Sequence, residues 1–549
     1  MCDIGGLDNL VANTAYLKAQ GGDDKEMKKR RRSLSLPQSA QCAAVRGKVE
    51  VNFESLCEQQ PVGKKFFRKF VAANPAHSLA TDFLDELNNW ELAEGATKDK
   101  TRQNIINKFC KADSKNFLSF LSGEAADKCK AVTDKDFPEV MTKVKEGTRE
   151  FLKGKPFQEY QTSPFFDKFL QWKQFERQPI TDKYFYEFRT LGKGGFGEVC
   201  AVQVKNTGQM YACKKLEKKR LKKKHGQKMA LLEKQILEKV NSPFIVSLAY
   251  AYETKTHLCL CMTLMNGGDL RYHIYNIGEK GIEMKRIIYY AAQITTGILE
   301  LHAMDIVYRD MKPENVLLDS VGQCRLSDLG LAVMLPSGKT STQRAGTGAY
   351  MAPEILNETP YRCSVDWWAL GCSIYEMVAA YTPFKGPVDP KKDKMAKEEV
   401  QRRILEEEVK FDHKNFDAAT KDIITQFLKK NINERLGCKN DDPRKHEWFK
   451  SINFARLEAG LIDPPWVPKP NVVYAKDTDD IAEFSDIKGI ELDAKDEKFH
   501  QEFSTGAISI PWQQEMIETK LFDELNDPNR KESAAGMDPD AKSSTCIVL

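Results

Sequence analysis

Apolar residues recur at helical spacing along the first third of the chain, from Phe53 to about Arg177. Two groups illustrate the pattern: Phe66, Phe67 and Phe70, then Phe83, Leu84 and Leu87. Spacings of three and four place such residues on one face of a helix. The pattern is interrupted at Asn74-Pro75, Gly95 and Gly123, residue types that begin or end helices. An all-helical domain is therefore predicted here.

Short apolar strands mark the next part of the chain, from about residue 185 to 450. Tyr211 to Lys214 and Cys259 to Cys261 are typical strand segments, in which alternate side chains share one face. Between them, Met229 to Leu237 carries an apolar stripe at helical spacing. A mixed domain of strands and helices is predicted.

Three segments outside these domains differ from them in their sequence pattern. Lys25 to Pro37 is strongly basic and ends in proline, which predicts a linker. Asp463 to Pro470 contains repeated prolines and is predicted to be extended. Helical periodicity returns from Trp512 to Leu525, and one helix so short must dock on another part of the protein. The last twenty residues, apart from the final four, are predicted to be disordered.

The composition is that of a large globular protein with several domains. Its 549 residues suggest about three domains at roughly 150 residues each, and 41% hydrophobic residues suffice to build cores. The net charge of +4 argues against a nucleic-acid-binding protein. The 14 cysteines lack paired zinc spacing and are predicted to be core thiols in the reducing cytosol. Neither a signal peptide nor a membrane-spanning apolar run is evident.

The most informative motif is residues 308–315, Tyr-Arg-Asp-Met-Lys-Pro-Glu-Asn. It carries an aspartate, a lysine and an asparagine at the offsets of a phosphoryl-transfer loop. Asp310 is predicted to accept the proton of the attacking hydroxyl, Lys312 to neutralise charge on the transferred phosphoryl group, and Asn315 to hold a magnesium ion. Alone, this segment only suggests a protein kinase.

A glycine-rich stretch upstream fits the same chemistry. Its glycines allow backbone amides to close over phosphates where a Cβ would collide. Such a stretch is equally typical of a hairpin turn with incidental glycines, and the catalytic motif downstream favours the nucleotide interpretation. The residues predicted to bind ATP here are Leu191, Gly192, Lys193, Gly194, Gly195, Phe196, Gly197, Glu198 and Val199.

Three charged residues complete the predicted site. Lys214 can pair with the α- and β-phosphates of ATP if an acidic residue orients it, and Glu233 on the next predicted helix is that partner. Without the catalytic motif, Glu233 would be interpreted as a solvated glutamate in an i,i+4 pair. Asp328, in the sequence Ser-Asp-Leu-Gly, is predicted to be the second magnesium ligand.

These motifs, in this order and followed by Ala352 to Glu354 and Asp366 to Gly371, resemble protein kinases. Arg435 to Gly437 and the long C-terminal extension resemble the protein kinase A, G and C group. The region around Phe53 to Phe67 resembles a regulator-of-G-protein-signalling (RGS) homology domain. A kinase domain placed inside such a domain resembles the G protein-coupled receptor kinases, and the two ends of the chain resemble their visual branch.

The resemblance implies an α+β protein, with a bilobal protein kinase fold inserted into an all-α RGS homology domain. The expected parts are a receptor-docking helix (1–20), a basic linker (21–52), the RGS homology domain (53–177), the kinase domain (185–450), its C-terminal extension (451–507), a returning helix of the RGS homology domain (508–530) and a flexible tail with a prenylation box (531–549).

It also implies a function. The family pattern is that of a serine/threonine kinase that uses ATP and Mg²⁺ to phosphorylate light-activated opsin, which promotes receptor desensitisation in photoreceptors. By the same pattern, Met262 is expected to lie behind the adenine, Thr263 and Met265 to offer backbone groups to it, and Asp269 to reach the ribose.

The control of activity is expected to differ from that of many related kinases. In those relatives a phosphothreonine before a Gly-Thr pair is bound by the arginine of the catalytic loop. Gln343 holds that position here, so Arg309 lacks an anionic partner. The resemblance implies instead an N-terminal helix that forms on receptor binding, with a frayed terminus as the simpler alternative. Its expected docking residues are Asp3, Ile4, Leu7, Leu10 and Val11.

The C-terminal residues predict a lipid anchor. Cys546 to Leu549 fits a prenylation box, in which a final leucine favours geranylgeranyl over an ordinary apolar tail. One lipid chain gives only reversible membrane binding, so Lys28 to Arg32 is predicted to be a second, electrostatic signal. A solvated linker, or the equally basic Lys218 to Lys224, competes with that interpretation. The expected location is the cytoplasmic face of a membrane, in the photoreceptor outer segment.

Two serines are candidate phosphorylation sites, and two other functions remain open. Ser33 follows three arginines, as basophilic kinases require, and Ser485 is a candidate autophosphorylation site. A calcium-sensor protein is a further candidate partner. The alternatives are a scaffold that binds a G protein α subunit, and a soluble kinase of the same broad group that acts on basic peptides. No motif distinguishes cone from rod opsin as substrate.

Overall fold

The computed structural model describes residues 24–387, 395–439, 441–469 and 489–530. These residues form two compact units. One contains Ile180–Pro511 and the residues up to Lys29, and the other contains Arg30–Pro179 and the residues from Trp512 onward. The first unit is therefore inserted into the sequence of the second.

The second unit is helical, because its helices are amphipathic and bury their apolar faces together. Phe83, Phe109 and Phe137 lie in its core with no exposed surface. Helix starts are marked by caps: the side chain of Asn74 accepts the N–H of Ala76. The helices of residues 24–176 are α1 (Asp24–Ser33), α2 (Ala43–Arg46), α3 (Pro61–Ala72), α4 (Pro75–Leu92), α5 (Gly95–Ile105), α6 (Gly123–Ala131), α7 (Phe137–Lys153), α8 (Lys155–Tyr160) and α9 (Pro164–Glu176).

The C-terminal segment returns to this helical unit through buried contacts. The Gln513 side chain accepts the backbone N–H of Val62 at 3.0 Å. The ring of Phe522 packs at 5.2 Å from that of Trp172 and at 5.4 Å from that of Phe66. These residues are buried, so the segment contributes to the core rather than lying on it.

The prediction of one helix from Trp512 to Leu525 is wrong in detail. The chain forms two helices, α20 (Ser509–Glu518) and α21 (Leu521–Asn526), because Lys520 adopts the left-handed conformation at φ 65° and ends the regular spacing. The turn allows Leu521 and Phe522 to be buried together.

The prediction of a linker from Lys25 to Pro37 is also wrong for its first part. Asp24–Ser33 forms helix α1, which contains no glycine or proline to prevent helix formation. Arg31 is buried and pairs with Glu524 at 2.6 Å. This arginine therefore has a partner within the protein and does not extend into solvent as a linker residue would.

The first unit begins with an antiparallel sheet of order β1-β2-β3-β5-β4-β10. Lys214 lies in its centre, opposite Val199 on one neighbouring strand and Leu260 on the other. The strands are β1 (Phe185–Gly194), β2 (Gly197–Val204), β3 (Met210–Glu217), β4 (Leu248–Glu253), β5 (His257–Thr263) and β10 (Gly506–Ala507). The helices beside it are α10 (Lys218–Lys223), α11 (Gln227–Lys239) and α19 (Ala494–Phe503).

The rest of this unit is a mainly helical lobe. Helix α15 (Ser364–Ala379) is mainly apolar and is buried along its whole length, including its two carboxylates, Asp366 and Glu376. The other helices are α12 (Leu270–Tyr275), α13 (Met284–Ala303), α14 (Pro353–Leu356), α16 (Lys397–Glu406), α17 (Ala418–Phe427) and α18 (Phe454–Glu458). Two short antiparallel pairs, β6 (Ile306–Val307) with β9 (Val333–Met334) and β7 (Val316–Leu318) with β8 (Cys324–Leu326), frame the loops that carry the predicted chemistry.

The predicted core thiols are confirmed where the structure describes them. Of the twelve described cysteines, ten are buried, and Cys363 and Cys438 are partly buried. Within the described ranges, every helix is too short or too polar to cross a lipid bilayer.

Candidate active site

The loop of residues 308–315 is held in place by a buried carboxylate of α15. Asp366 accepts the backbone N–H of Tyr308 at 2.9 Å and that of Arg309 at 2.8 Å, and the ring N–H of His302 at 2.8 Å. Burial alone would lower the pKa of His302, but its hydrogen bond to Asp366 raises the pKa to about 9. A protonated His302 therefore balances the buried carboxylate near neutral pH. Arg309 lies at φ 68°, a strained conformation that these bonds stabilise.

The three predicted catalytic residues of this loop lie together. Lys312 Nζ donates to Asp310 Oδ2 at 2.8 Å, and Asn315 Nδ2 donates to the same oxygen at 2.9 Å. The hydroxyl of Thr347 donates to Asp310 Oδ1 at 2.7 Å and accepts from Lys312 at 2.8 Å. All but Thr347 are buried. The Asp310 carboxylate is thus oriented by three donors, one of them a cation.

The predicted pair on the sheet and the next helix is formed. Lys214 Nζ lies 2.8 Å from Glu233 Oε1 and 3.0 Å from Oε2. A Cβ placed on Gly330 would lie 3.1 Å from Asp328 Oδ1 and 3.8 Å from Glu233 Oε2, so both carboxylates approach one glycine. The ammonium of Lys214 and the carboxylate of Asp328 therefore belong to one site.

Asn315 and Asp328 have the donor types that Mg²⁺ takes, an amide oxygen and a carboxylate oxygen. The N–H and the hydroxyl of Ser327 donate to the backbone oxygen of Asn315 at 2.8 and 2.9 Å, which ties the two predicted ligands together. Because Nδ2 of Asn315 donates to Asp310, its Oδ1 is the side-chain atom left for a cation. The residues present fit a magnesium ion.

The glycine-rich stretch forms the turn between β1 and β2. The backbone of Leu191, Gly192, Lys193 and Gly194 lies in β1, and Gly197, Glu198 and Val199 lie in β2. A Cβ on Gly197 would lie 1.8 Å from the carbonyl oxygen of Lys215, so only glycine fits there. At the tip, the carbonyl of Gly195 accepts from Lys224 Nζ at 2.7 Å and that of Phe196 accepts from the N–H of Glu217 at 2.9 Å.

The predicted adenine and ribose residues follow β5. Thr263 donates its backbone N–H to Ser247 at 2.9 Å, which leaves its carbonyl as the backbone group to offer to a base. Met262 lies beside it in β5, and Met265 is buried just beyond. Asp269 caps α12 by accepting the N–H of Tyr272 at 2.8 Å, and burial raises the pKa of Asp269 to about 6.

Arg309 is held by neutral groups in the activation segment. Its Nη1 donates to the side-chain oxygen of Gln343 at 3.0 Å and to the hydroxyl of Tyr361 at 3.2 Å, and its Nε donates to the carbonyl of Leu331 at 2.7 Å. Tyr361 in turn donates its hydroxyl to the carbonyl of Gln343 at 2.6 Å. Gln343 thus takes the position predicted for it, next to the arginine.

The remaining predicted residues are not part of this cluster. Ser33 is the last residue of α1, where its hydroxyl donates to the carbonyl of Arg30 at 2.7 Å. Ser485 and Cys546 lie outside the described residues, and so do the predicted docking residues Asp3, Ile4, Leu7, Leu10 and Val11.

Sequence reasoning missed four groups that the structure places around the site. Thr347 bonds Asp310, Asp366 holds the catalytic loop, and Tyr361 joins Arg309 to Gln343. Arg435 and Glu354 form a buried ion pair in the same lobe. Asp366 is a charged residue within a mainly apolar helical segment and could have been found from the sequence, whereas Thr347 carries no charge and its contact with Asp310 becomes evident only in the fold.

Comparison with known proteins agrees with this geometry. Residues 185–449 match the model of the protein kinase domain, and residues 52–169 match that of the regulator of G protein signaling domain. The fold and the site therefore define a protein kinase that carries an RGS domain. The predicted fold class is confirmed.

Relatives that align over the full length of the chain identify the kinase family to which it belongs. The chain is 79% identical over 550 residues to rhodopsin kinase grk7a of Danio rerio, 59% identical over 555 residues to rhodopsin kinase grk7-a of Xenopus laevis, and 58% identical over 558 residues to rhodopsin kinase GRK7 of Homo sapiens. Each alignment covers 100% of both chains. The chain belongs to the G protein-coupled receptor kinase family, in its visual, rhodopsin kinase branch. This confirms the resemblance inferred from the sequence.

Proposed function

We propose that the chain is a serine/threonine kinase that transfers the γ-phosphate of ATP to light-activated opsin and so promotes receptor desensitisation. The observation that carries the proposal is the buried cluster of Asp310, Lys312 and Asn315 in a chain 79% identical to a rhodopsin kinase along its full length. Within the visual branch, the two ends of the chain resemble those of the cone opsin kinase.

In the proposed mechanism Asp310 accepts the proton of the receptor serine or threonine hydroxyl, whose oxygen forms the new bond to the γ-phosphorus. The donors to Asp310 hold its carboxylate in one orientation. Lys312, within 2.8 Å of that carboxylate, is placed to neutralise charge on the phosphoryl group as its bond to ADP breaks.

ATP would be bound by residues from both lobes. The backbone of the turn between β1 and β2 would cover the phosphates, and Lys214, oriented by Glu233, would pair with them. Asn315 and Asp328 would hold magnesium, which supplies charge neutralisation of the phosphates when bound. Thr263 and Met265 would bind the adenine, and Asp269 the ribose.

Light-dependent phosphorylation of opsin-containing membranes tests this function. Asp310→Asn removes the base but retains the size of the side chain, and the rate is expected to fall by about 10² to 10⁴-fold. Lys450→Ala, which removes only an exposed ion pair with Glu447, serves as the control for handling of the protein. Equal incorporation of phosphate by wild type and Asp310→Asn would overturn the enzymatic proposal.

The RGS domain match favours one second function, the binding of a G protein α subunit. A scaffold of this kind would not need phosphoryl transfer. Tight binding of an α subunit by Asp310→Asn, together with opsin phosphorylation that does not differ from that of wild type, would favour the scaffold.

We further propose that the N-terminal segment controls activity in place of a phosphorylated activation segment. Arg309 is bound by Gln343, which cannot be phosphorylated, and this supports the proposal that receptor contact supplies the signal. Deletion of residues 2–15 is expected to abolish activity on opsin. Activity that survives this deletion would contradict the proposed docking role of Asp3, Ile4, Leu7, Leu10 and Val11.

Membrane attachment is proposed to depend on a geranylgeranyl group at Cys546 and on basic residues of α1. The exposed members of that basic run are Lys28, Lys29 and Arg32, since Arg31 pairs with Glu524. Cys546→Ser is expected to move the kinase from outer-segment membranes to the soluble fraction, with mass spectrometry of Cys546 as the direct measurement. An unmodified Cys546 on membranes would contradict the anchor.

Regulation at the two serines and by a calcium sensor completes the proposal. A phosphate on Ser33 would lie at the C-terminal end of α1, where negative charge is unfavourable to the helix dipole. Ser485 is the proposed autophosphorylation site. Calcium-dependent recovery of the kinase on an immobilised calcium-sensor protein tests the partner.

A further inference from the structure

Glu314, a carboxylate of the catalytic loop, forms an ion pair with Arg271. Arg271 of α12 places Nη1 at 2.7 Å from Oε1 of Glu314, two residues beyond Lys312. The guanidinium also lies over the ring of Tyr275, 5.2 Å from its centroid. Half of the Arg271 side chain and about a third of the Glu314 side chain are exposed. The pair therefore lies at the protein surface, where a peptide can reach it.

Glu314 of this pair lies on the same loop as Asp310, the residue that the substrate hydroxyl must reach. Asp310, Thr347 and Tyr350 line one small cleft. The Tyr350 hydroxyl donates to Glu376, and so does that of Tyr275, the residue on which Arg271 lies.

Two carboxylates near this cleft thus already have partners within the protein. Glu376 is buried and accepts two tyrosine hydroxyls. Glu314 accepts from Arg271 through one oxygen, and its other oxygen is buried with no hydrogen-bond partner. Oε1 of Glu314 is therefore the oxygen that a substrate lysine or arginine would need, and the positive charge of Arg271 already lies beside it.

We propose that Arg271 determines substrate specificity by occupying the place that a basic substrate residue would take at Glu314. A second cation at this position would meet the guanidinium of Arg271, and the like charges repel. The kinase therefore rejects peptides whose basic residue falls at this subsite. The inference rests on the proposed function, because it concerns the substrate of the same active site.

The experiment measures kcat/KM of the full-length kinase for synthetic peptides that contain one serine. One peptide is neutral, and each of the others carries a single arginine at a different position before or after the serine. Arg271→Ala is expected to gain about tenfold on one of the arginine peptides relative to the neutral peptide, the size of one hydrogen bond to a charged group. The double variant Arg271→Ala with Glu314→Gln is expected to lose that gain, because no charge is left to attract the peptide.

Arg46→Ala is the matched control. Arg46 also combines an exposed ion pair, to Asp167 at 2.7 Å, with a ring contact, to Phe166 at 5.1 Å, and none of these residues lines the cleft. It loses the same charge and is expected to keep the wild-type peptide preference. Arg271→Gln, which retains hydrogen-bonding capacity without charge, provides a second variant if Arg271→Ala unfolds.

The outcomes separate this inference from the proposed function. A gain that appears in Arg271→Ala or Arg271→Gln and disappears in the double variant supports it. Peptide preferences unchanged by the loss of Arg271, or a gain that persists without Glu314, overturn it even if opsin is phosphorylated in the light. If wild type phosphorylates neither opsin nor any peptide, the proposed function fails and the inference fails with it.

Discussion

Two ion pairs of the kinase unit, each between a basic residue and a glutamate, serve different purposes. Lys214 and Glu233 join the sheet to α11 with side chains that are 16% and 8% exposed. Arg435 and Glu354 join two parts of the helical lobe with side chains that are 0% and 4% exposed. The first pair can be reached by a phosphate, whereas the second cannot be reached by any ligand.

The difference lies in how completely each cation is used inside the protein. Arg435 contacts both oxygens of Glu354 and also donates to the carbonyls of Lys429 and Ser364. The Ser364 hydroxyl donates to the same glutamate. A buried charge satisfied in this way maintains structure, while a partly exposed lysine such as Lys214 can also bind a substrate.

The largest effect is expected from breaking the fully buried pair. Arg435→Met leaves Glu354 buried without its cation and is expected to lower the free energy of unfolding by about 3 to 5 kcal/mol. Urea denaturation followed by tryptophan fluorescence measures this loss. Lys450→Ala, which removes one exposed ion pair with Glu447, is expected to change the same quantity by less than about 1 kcal/mol. A similar loss for both variants would remove the distinction between buried and exposed pairs.

A third pair, His302 with Asp366, should make stability depend on pH. The folded pKa of His302 is about 9, against 6.5 for an ordinary histidine, because Asp366 overcomes the effect of burial. A raised pKa gives stability that is complete below about pH 6.5 and is lost as the pH rises through about 9. The expected loss is about 3 kcal/mol, since each pKa unit corresponds to about 1.4 kcal/mol.

Urea denaturation at a series of pH values measures this loss. His302→Gln retains a donor for Asp366 but carries no titrating group, so its stability should change less across the same range. A wild-type stability that is constant from pH 6.5 to about 9 would contradict the protonated pair.

Reciprocal lysine and arginine substitutions test the comparison directly. Lys214→Arg retains the charge beside Glu233, but a planar guanidinium cannot place its donors as the ammonium does. We expect kcat/KM for ATP to fall by about 100-fold with little change in stability. Arg435→Lys should do the opposite, since it loses the bidentate contact but leaves the active site unchanged. Equal losses of activity in the two variants would show that both pairs serve catalysis.

The sequence predicted the Lys214 pair but not the Arg435 pair, for a physical reason. Lys214, Glu233 and Asp310 lie in motifs whose spacing is set by a ligand, so the chemistry can be read along the chain. Arg435 and Glu354 are 81 residues apart and meet only through the packing of the lobe. The break at Lys520 was missed likewise, because burial of Leu521 and Phe522 overrides the regular helical spacing there.

The smallest effect is expected where a cation is held by neutral groups. Tyr361 accepts from Arg309 and donates to the Gln343 carbonyl, so Tyr361→Phe removes two hydrogen bonds that fix the catalytic-loop arginine. Because Gln343 and Leu331 still bind Arg309, kcat is expected to fall only about fivefold, the effect of roughly 1 kcal/mol, with an unchanged KM for ATP. Steady-state kinetics on opsin membranes measures both constants. A fall of about 100-fold, the size expected for Lys214→Arg, would mean that the neutral groups around Arg309 matter to catalysis as much as the Lys214–Glu233 pair does.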